Sequence, residues 1–307
     1  MSYRFKGNES IGKSVERIAL AQLDEALERS RAKRGLDEAV HDVRVCFKKL
    51  RGLIRLVRAE LSPDKYKREN KSFRNINRKL SKVRDSAALT EILDKLSERF
   101  SDQLKGDAFA SVRTQLTKVK QARVTDKKRA LAEARKRIVA ERRHVKKWSI
   151  DRDKFPAIGA GLSHTYASGR KGFARAYQKQ NVRAFHEWRK DVKYFWYHVQ
   201  LLRDLWAGFL KDYADEIKDL VDYLSDDHDL ALLRKRMLAE SNGDKESHEY
   251  EALLGLIDKR RAELEARARV LGEKVYAESP EAFESRFHEY WRAWRLEEKT
   301  RTIAAHN

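Results

Sequence analysis

The sequence predicts an all-α protein made of two helical bundles, related by an approximate twofold axis around a central basic groove or pore. Proline occurs three times in 307 residues, which leaves long stretches for uninterrupted helix. Apolar residues recur every three or four positions, and no run of β-branched residues alternates with the period of a strand. Two pairs of segments also repeat each other along the chain, which indicates duplication of one helical unit.

Five helices are predicted in the first half of the chain, each bounded by a capping residue, Gly or Pro. Ser10 caps the first helix, Gly35 precedes the second, and Ser62-Pro63 separates the second from the third. Gly106 separates the fourth helix from a long basic one. The expected ranges are about 10–33, 37–61, 63 onward, 87–100 and 108–148.

The segment around Pro156 is the predicted boundary between the bundles, because it combines Pro and Gly with a polar run. The first bundle then comprises residues 1–150 and the second residues 151–307, and together they form one domain. Further helices are expected at about 158–178, 182–210, 214–224, 229–239, 248–277 and 280–299.

The predicted helix at 37–61 has a cationic stripe beside its apolar face. At 3.6 residues per turn, six basic side chains share one stripe: His41, Arg44, Lys48, Arg51, Arg55 and Arg58. No Glu or Asp is interleaved on this stripe, so like charges three or four residues apart repel one another. A polyanion lying along the stripe would relieve that repulsion. The next helix carries a second basic stripe, formed by Lys71, Arg74, Arg78 and Lys82.

The same pattern returns in the second half of the chain. HDVRVCFKKL at 41–50 aligns without gaps with HEWRKDVKYF at 186–195, and LSKVRDSAAL at 80–89 aligns with LSDDHDLALL at 224–233. The second copy places His186, Arg189, Lys193 and Tyr197 on one polar stripe. We interpret the two copies as a duplication that turns both polar stripes toward a shared groove.

The excess positive charge is confined to the first half. The chain has 68 basic and 48 acidic residues, and the whole net charge of +20 lies in residues 1–150. This imbalance predicts a polyanionic partner, although a merely charge-rich soluble protein is the alternative. The single cysteine, Cys46, excludes a disulfide framework and fits a reducing compartment. With no apolar run long enough for a membrane span or secretory signal, we expect a cytoplasmic protein without membrane contact.

Motifs of these segments resemble the CHAD domain, whose name abbreviates "conserved histidine α-helical domain". They are H-x-x-R-x-x-x-K-K-L-R from His41, V-R-D from Val83, and H-x-x-R-K-x-x-K-Y-x-x-Y from His186. The resemblance covers nearly the whole chain. It implies two helical bundles around a basic pore that binds inorganic polyphosphate without catalysis, at polyphosphate granules. Phe195-Trp196 and Asp227-His228 depart from the family's pattern and lower the density of cations in the second copy.

The site residues predicted by the stripes and the resemblance together come from both copies. They are His41, Arg44, Lys48, Lys49, Arg51, Arg55, Arg74, Arg78, Lys82, Arg170, Lys171, Arg175, His186, Arg189, Lys190, Lys193 and Tyr197. Arg can bind phosphate oxygens through two parallel hydrogen bonds, and Lys supplies a point charge. The alternative for the two histidines is a hydrogen bond within the bundle.

The sequence also allows other functions. A nucleic acid is the alternative ligand, on the basic stretch Arg113–Lys147, although that stretch lacks interleaved aromatic residues and a solvated face is its ordinary interpretation. A metal site is a further alternative, because the side chains of Asp226, Asp227, His228 and Asp229 are of types that bind metals. Their adjacency in sequence instead favours a helix N-terminus. For Asp85 and Asp229 we expect structural roles, such as capping a helix. No phosphate-binding glycine loop or nucleophile motif is present, so neither an enzyme nor a cofactor is expected.

Overall fold

The computed structural model describes residues 3–81, 83, 85–103, 109–110, 112–114, 116, 124–240 and 248–304. All regular structure in these ranges is helical, which confirms the predicted all-α class. The helices used below are α1 (Ile11–Arg29), α2 (Leu36–Leu56), α3 (Pro63–Ser81), α4 (Asp85–Arg99), α5 (Val124–Val145), α6 (Pro156–Lys179), α7 (Val182–Leu201), α8 (Ala207–Glu240), α9 (His248–Val275) and α10 (Pro280–Ala304). None of the described helices is long and apolar enough to cross a membrane.

The two matched helices, α2 and α7, end at equivalent positions. Each is followed by a residue with φ near −100°, Val57 (φ −98°, ψ 21°) and Leu202 (φ −99°, ψ 7°), and then by a short 3₁₀ segment. Both helices therefore stop earlier than the predicted ranges of 37–61 and 182–210. The matching breaks agree with a duplicated unit, while the twofold relation between the bundles remains a prediction.

The second half differs from the prediction at α8, which is one continuous helix where two were expected. The sequence Ser225–Asp229 has the composition of a helix start. In the structure Asp227 instead forms a buried ion pair with Arg261 of α9, 2.8 Å long, so its charge is tolerated inside the helix.

The hydrophobic core contains the predicted apolar faces of both halves. Side chains of α2 and α7 that are fully buried in this single cluster include Val43, Phe47, Leu50, Ile54, Trp188, Val192, Phe195 and Val199. A second, smaller cluster joins α4 to the C-terminal part of α8 and to α9. The apolar side of each matched helix is thus turned inward, as the 3.6-residue period predicts.

The matched helices contact each other directly at Gly52 of α2. A Cβ atom at that position would lie 3.0 Å from the Cβ of Tyr197 in α7. The Nε2 atom of buried His198 lies 2.9 Å from the carbonyl oxygen of Gly52, to which it donates a hydrogen bond. Close approach of the two backbones at a glycine positions the polar stripes of α2 and α7 beside one another.

Candidate functional site

Tyr194 of α7 lies under two arginines of α2. The guanidinium carbon of Arg55 is 4.0 Å from the centre of its ring, and that of Arg51 is 5.5 Å away. Both distances lie within the range of a cation–π interaction. The cationic stripe of the first copy therefore meets the polar side of the second copy at this tyrosine.

Basic side chains of α6 extend the same region. Arg58 donates a 3.1 Å hydrogen bond to Nε2 of His164, which places the proton of the neutral imidazole on Nδ1. Burial lowers the pKa of His164, and the nearby positive charges of Arg58, Arg55 and Lys171 lower it further. The side chains around these contacts form a set that we call the basic junction. Its members are Arg51, Arg55, Arg58, Arg74, His164, Lys171, Arg175, Lys190 and Tyr194.

A neutral amide holds the central arginines. The side-chain oxygen of Asn70 in α3 accepts from Nε of Arg51 at 3.0 Å and from Nη1 of Arg55 at 3.1 Å. Two turns further along α3, Asn77 accepts from Arg44 at 3.3 Å. Among the described residues, no carboxylate forms an ion pair with Arg51 or Arg55. An amide orients a guanidinium without neutralising it, so both charges are available to an anion.

Two carboxyl groups lie beside the basic junction. Glu187 forms an ion pair with Lys190, and Asp191 is the more buried of the two. Burial raises the pKa of Asp191 to about 6, although the positive charges of Lys190, Arg55 and Arg175 act in the opposite direction. Near pH 7 this group is ionised and subtracts from the positive potential, and protonation below its pKa removes that negative charge.

The polar stripe of α7 is more deeply buried than that of α2. Arg189 donates to Ser225 of α8 at 3.0 Å, and burial lowers its pKa. Burial, followed by the charge of Arg189, lowers the pKa of Lys193 to about 8. The Nδ1 atoms of His186 and His228 are 3.2 Å apart, and burial lowers both pKa values, that of His228 to about 3. Both imidazoles are therefore neutral near pH 7.

Some predicted site residues lie elsewhere. Tyr197, expected on the polar stripe, is 2% exposed because it packs on Gly52. Lys49 lies over the ring of Tyr3 and lines a cavity whose other walls carry acidic side chains of α1. Arg170 donates to the carbonyl of Tyr276 at 3.3 Å, at the end of α9. These three side chains are turned away from the basic junction by tertiary contacts.

The remaining predicted residues are placed as follows. His41 lines a separate open cavity of about 730 Å³ whose walls carry both signs of charge: Lys33 and Arg34 before α2, Asp37 and Glu38 in its first turn, Glu91 of α4, and Lys127 and Lys128 of α5. Lys48 is half-buried on α2, and Arg78 is exposed on α3, one turn beyond Arg74. Lys82 lies outside the described residues.

Sequence reasoning missed the polar partners of the cations. Asn70 and Asn77 are seven residues apart on α3, and His164 is seven residues before Lys171, which the sequence does predict, so each pair shares a helix face. That spacing was the available signal. The suggested metal cluster at 226–229 is not assembled, because Asp227 faces Arg261 whereas His228 faces His186.

Comparison with known proteins identifies a family. A family model described as CHAD domain matches residues 17–239. The fold is similar to the crystal structure of the CHAD domain from the plant Ricinus communis, with a TM-score of 0.65 and 14% sequence identity. That match covers 89% of this chain and 95% of the plant chain. No curated protein matches the chain.

Proposed function

The chain belongs to the CHAD domain family, and from this premise we propose that it binds inorganic polyphosphate, without chemical change, at the basic junction. The observation that carries the proposal is the contact of Arg51 and Arg55, from the first copy, with Tyr194 of α7. Arg175 of α6 and Lys190 of α7 lie near Asp191, one turn before that tyrosine. In this proposal, cations from both halves of the protein bind one polyphosphate chain.

The chemistry of polyphosphate fits this arrangement. Each phosphate unit carries about one negative charge, and cations one helical turn apart are separated by about 5.4 Å along the helix axis. Arg51 and Arg55 therefore present charges one turn apart on α2, and Arg58 follows in the 3₁₀ segment beyond the helix end. Asn70 orients Arg51 and Arg55 without neutralising them. Polyphosphate binding at these two arginines therefore releases counterions and breaks no ion pair that they form with the described residues.

The aromatic residues favour polyphosphate over single-stranded nucleic acid. Stacking of bases requires free aromatic faces beside the cations. The face of Tyr194 is covered by Arg55, and Trp148, next to the basic helix α5, packs against Phe73 with ring centres 6.4 Å apart. Nucleic acid binding on the exposed face of α5 is the second candidate, supported by the exposed basic residues Arg135, Lys136 and Arg137 of that helix.

Membership of this family also suggests where the protein is located and what it binds. We propose a cytoplasmic protein associated with polyphosphate granules, because the resemblance implies a ligand that accumulates there. No cofactor or catalytic residue enters this proposal, and incubation with polyphosphate is expected to release no orthophosphate.

Competition binding tests the proposal. Labelled polyphosphate is bound at physiological salt, and unlabelled polyphosphate, single-stranded RNA and duplex DNA are compared as competitors by fluorescence anisotropy. The variant Arg51→Gln/Arg55→Gln/Lys171→Gln should weaken binding by about tenfold or more, because it removes three charged hydrogen-bond donors.

A matched control removes the same charge elsewhere. Arg135, Lys136 and Arg137 are exposed on α5, and their triple change to Gln should leave most of the affinity intact. Circular dichroism verifies the helical content of both variants. An equal loss in the two triple variants, or preferential displacement by nucleic acid, would contradict binding at the basic junction.

A further inference from the structure

Three metal-ligand side chains converge between α3 and α5. Glu69 comes from α3, and Glu141 and His144 come from the last turn of α5. One ligand atom from each lies within 4.8 Å of the others, and Nδ1 of His144 is 3.7 Å from Oε2 of Glu141. Glu and His one turn apart on a helix face the same side, so both can reach one ion with Glu69.

The two carboxylates are buried and incompletely paired. The side chains of Glu69 and Glu141 are 1% and 7% exposed. Oε1 of Glu69 accepts from Arg68, and Oε1 of Glu141 accepts from Ser72. The second oxygen, Oε2, of each carboxylate has no donor among the described residues. Buried carboxylate oxygens without a partner are costly, so a bound cation would stabilise this site.

The surrounding charges do not compensate the pair. Arg68 is 63% exposed, so solvent screens its interaction with Glu69. Two buried carboxyl groups thus face one another across the α3–α5 contact, with one half-exposed ligand, His144, at the rim.

We propose that Glu69, Glu141 and His144 bind one divalent transition-metal ion, of which Zn²⁺ is the best match. Two carboxylates and one imidazole form a donor set suited to Zn²⁺, and water from the exposed rim can complete a tetrahedral shell. Ca²⁺ takes six to eight oxygen ligands and Mg²⁺ an octahedral oxygen shell, which this donor set does not provide. The ion would join α5 to α3 and have a structural role.

A second contact illustrates how a charged link between helices can hold α5 in place. Near the other end of α5, buried Lys127 forms a 2.7 Å ion pair with Asp37 at the start of α2. The metal would secure the C-terminal end of α5 in the same way. Zinc binding here does not depend on polyphosphate, so the two proposals fail independently.

Calorimetric titration of Zn²⁺ into the metal-free full-length protein at pH 7.5 tests the site. The wild type should bind one equivalent, and its thermal unfolding midpoint should rise on zinc addition. Glu69→Gln/Glu141→Gln should lose that equivalent. His144→Ala, which removes the half-exposed ligand, should weaken binding by at least about 10-fold, the smallest loss that is typical even for a partner that only orients a metal ligand.

Matched controls separate this site from other surface groups. Glu133→Gln removes an exposed carboxylate of α5, and His288→Gln removes an exposed imidazole of α10; both should bind zinc as the wild type does. If the double variant fails to fold, His144→Ala decides alone. If the wild type binds no zinc, the positive charge that stabilises the two carboxylates is a proton that they share. If His144→Ala binds zinc as tightly as the wild type, the zinc lies elsewhere. Either result overturns the proposal.

Discussion

The guanidinium of Arg55 lies 4.0 Å from the centre of the Tyr194 ring, across the contact between two helices whose sequences match. The same arginine donates to Asn70 at 3.1 Å, so an aromatic face and an amide hold it between them. Neither partner is charged. The junction therefore positions a cation from the first copy over the second copy, and the carboxylate of Asp191 is a nearby charge that opposes it.

Tyr194→Leu should weaken this contact, whereas Tyr194→Phe should retain it, because the cation–π attraction depends on the ring and not on the hydroxyl. We expect Leu to lower the free energy of unfolding by about 0.5–2 kcal/mol, and Phe to change it little. Urea unfolding followed by circular dichroism measures both. Equal losses for Leu and Phe would show that the hydroxyl, rather than the ring face, matters.

Asp191 should make polyphosphate binding depend on pH. Its pKa is raised to about 6 by burial, so lowering the pH from 7 to 5 neutralises a carboxylate beside Arg55 and Arg175. Affinity should rise over that window in the wild type. Asp191→Asn should bind more tightly at pH 7 and show a smaller increase. Anisotropy titrations at the two pH values measure the change in affinity for each protein. If the affinities of wild type and Asp191→Asn change equally with pH, Asp191 does not control polyphosphate binding.

The same carboxyl group should affect stability with a definite sign. The folded state holds its proton up to about pH 6, whereas the unfolded chain releases it near pH 4, so stability falls as the pH rises between these values. Asp191→Asn should abolish that contribution. Urea unfolding of both proteins at pH 4.5 and 6.5 measures it, and no difference between their pH dependences would contradict it.

His198 should make the contact between α2 and α7 sensitive to acid. Complete burial, with Arg55 and His164 nearby, lowers its pKa to about 3, even though its hydrogen bond to Gly52 acts in the opposite direction. The unfolded chain takes up this proton below about pH 6.5, so the contribution to stability is lost as the pH falls. At pH 5 the loss is about 2 kcal/mol.

His198→Gln keeps a side-chain donor for the Gly52 carbonyl but does not titrate. The variant should therefore lose less stability than the wild type between pH 7.5 and pH 5, measured by urea unfolding. His228 also has a lowered pKa, but it is present in both proteins and cancels in the comparison. An identical pH dependence of the two proteins would be evidence against a buried neutral His198.

Gly161 of α6 should tolerate no side chain. A Cβ atom there would overlap the carbonyl oxygen of Leu56, at the end of α2. Because that neighbour is backbone, Gly161→Ala should destabilise the protein by about 3 kcal/mol. Gly255→Ala is the matched control: its Cβ meets open space on α9, and the change should stabilise the helix by about 0.5–1 kcal/mol. Thermal unfolding of both variants measures the contrast, and a stable Gly161→Ala would contradict the close approach of α6 to α2.

Much of the fold was predictable because helical periodicity is local. The apolar face of α2 and its cationic stripe follow from spacing alone, and the repeat of both on α7 follows from the sequence. The breaks after Leu56 and Leu201 were missed, since both helices end in runs that carry no Pro or Gly. Asp227 was interpreted as a helix start because its partner, Arg261, is 34 residues away in sequence.

The sequence by itself determined which residues could share a helix face: the stripe of α2, its counterpart on α7, and the positive charge of the first half. Only the tertiary structure decided which of those side chains meet. Gly52 lets Tyr197 approach and so buries it, while Asn70 and Tyr194 gather Arg51 and Arg55. The physical reason is that a helical period gives each side chain an angle about its own axis, whereas the crossing of two helices selects which angles face one another.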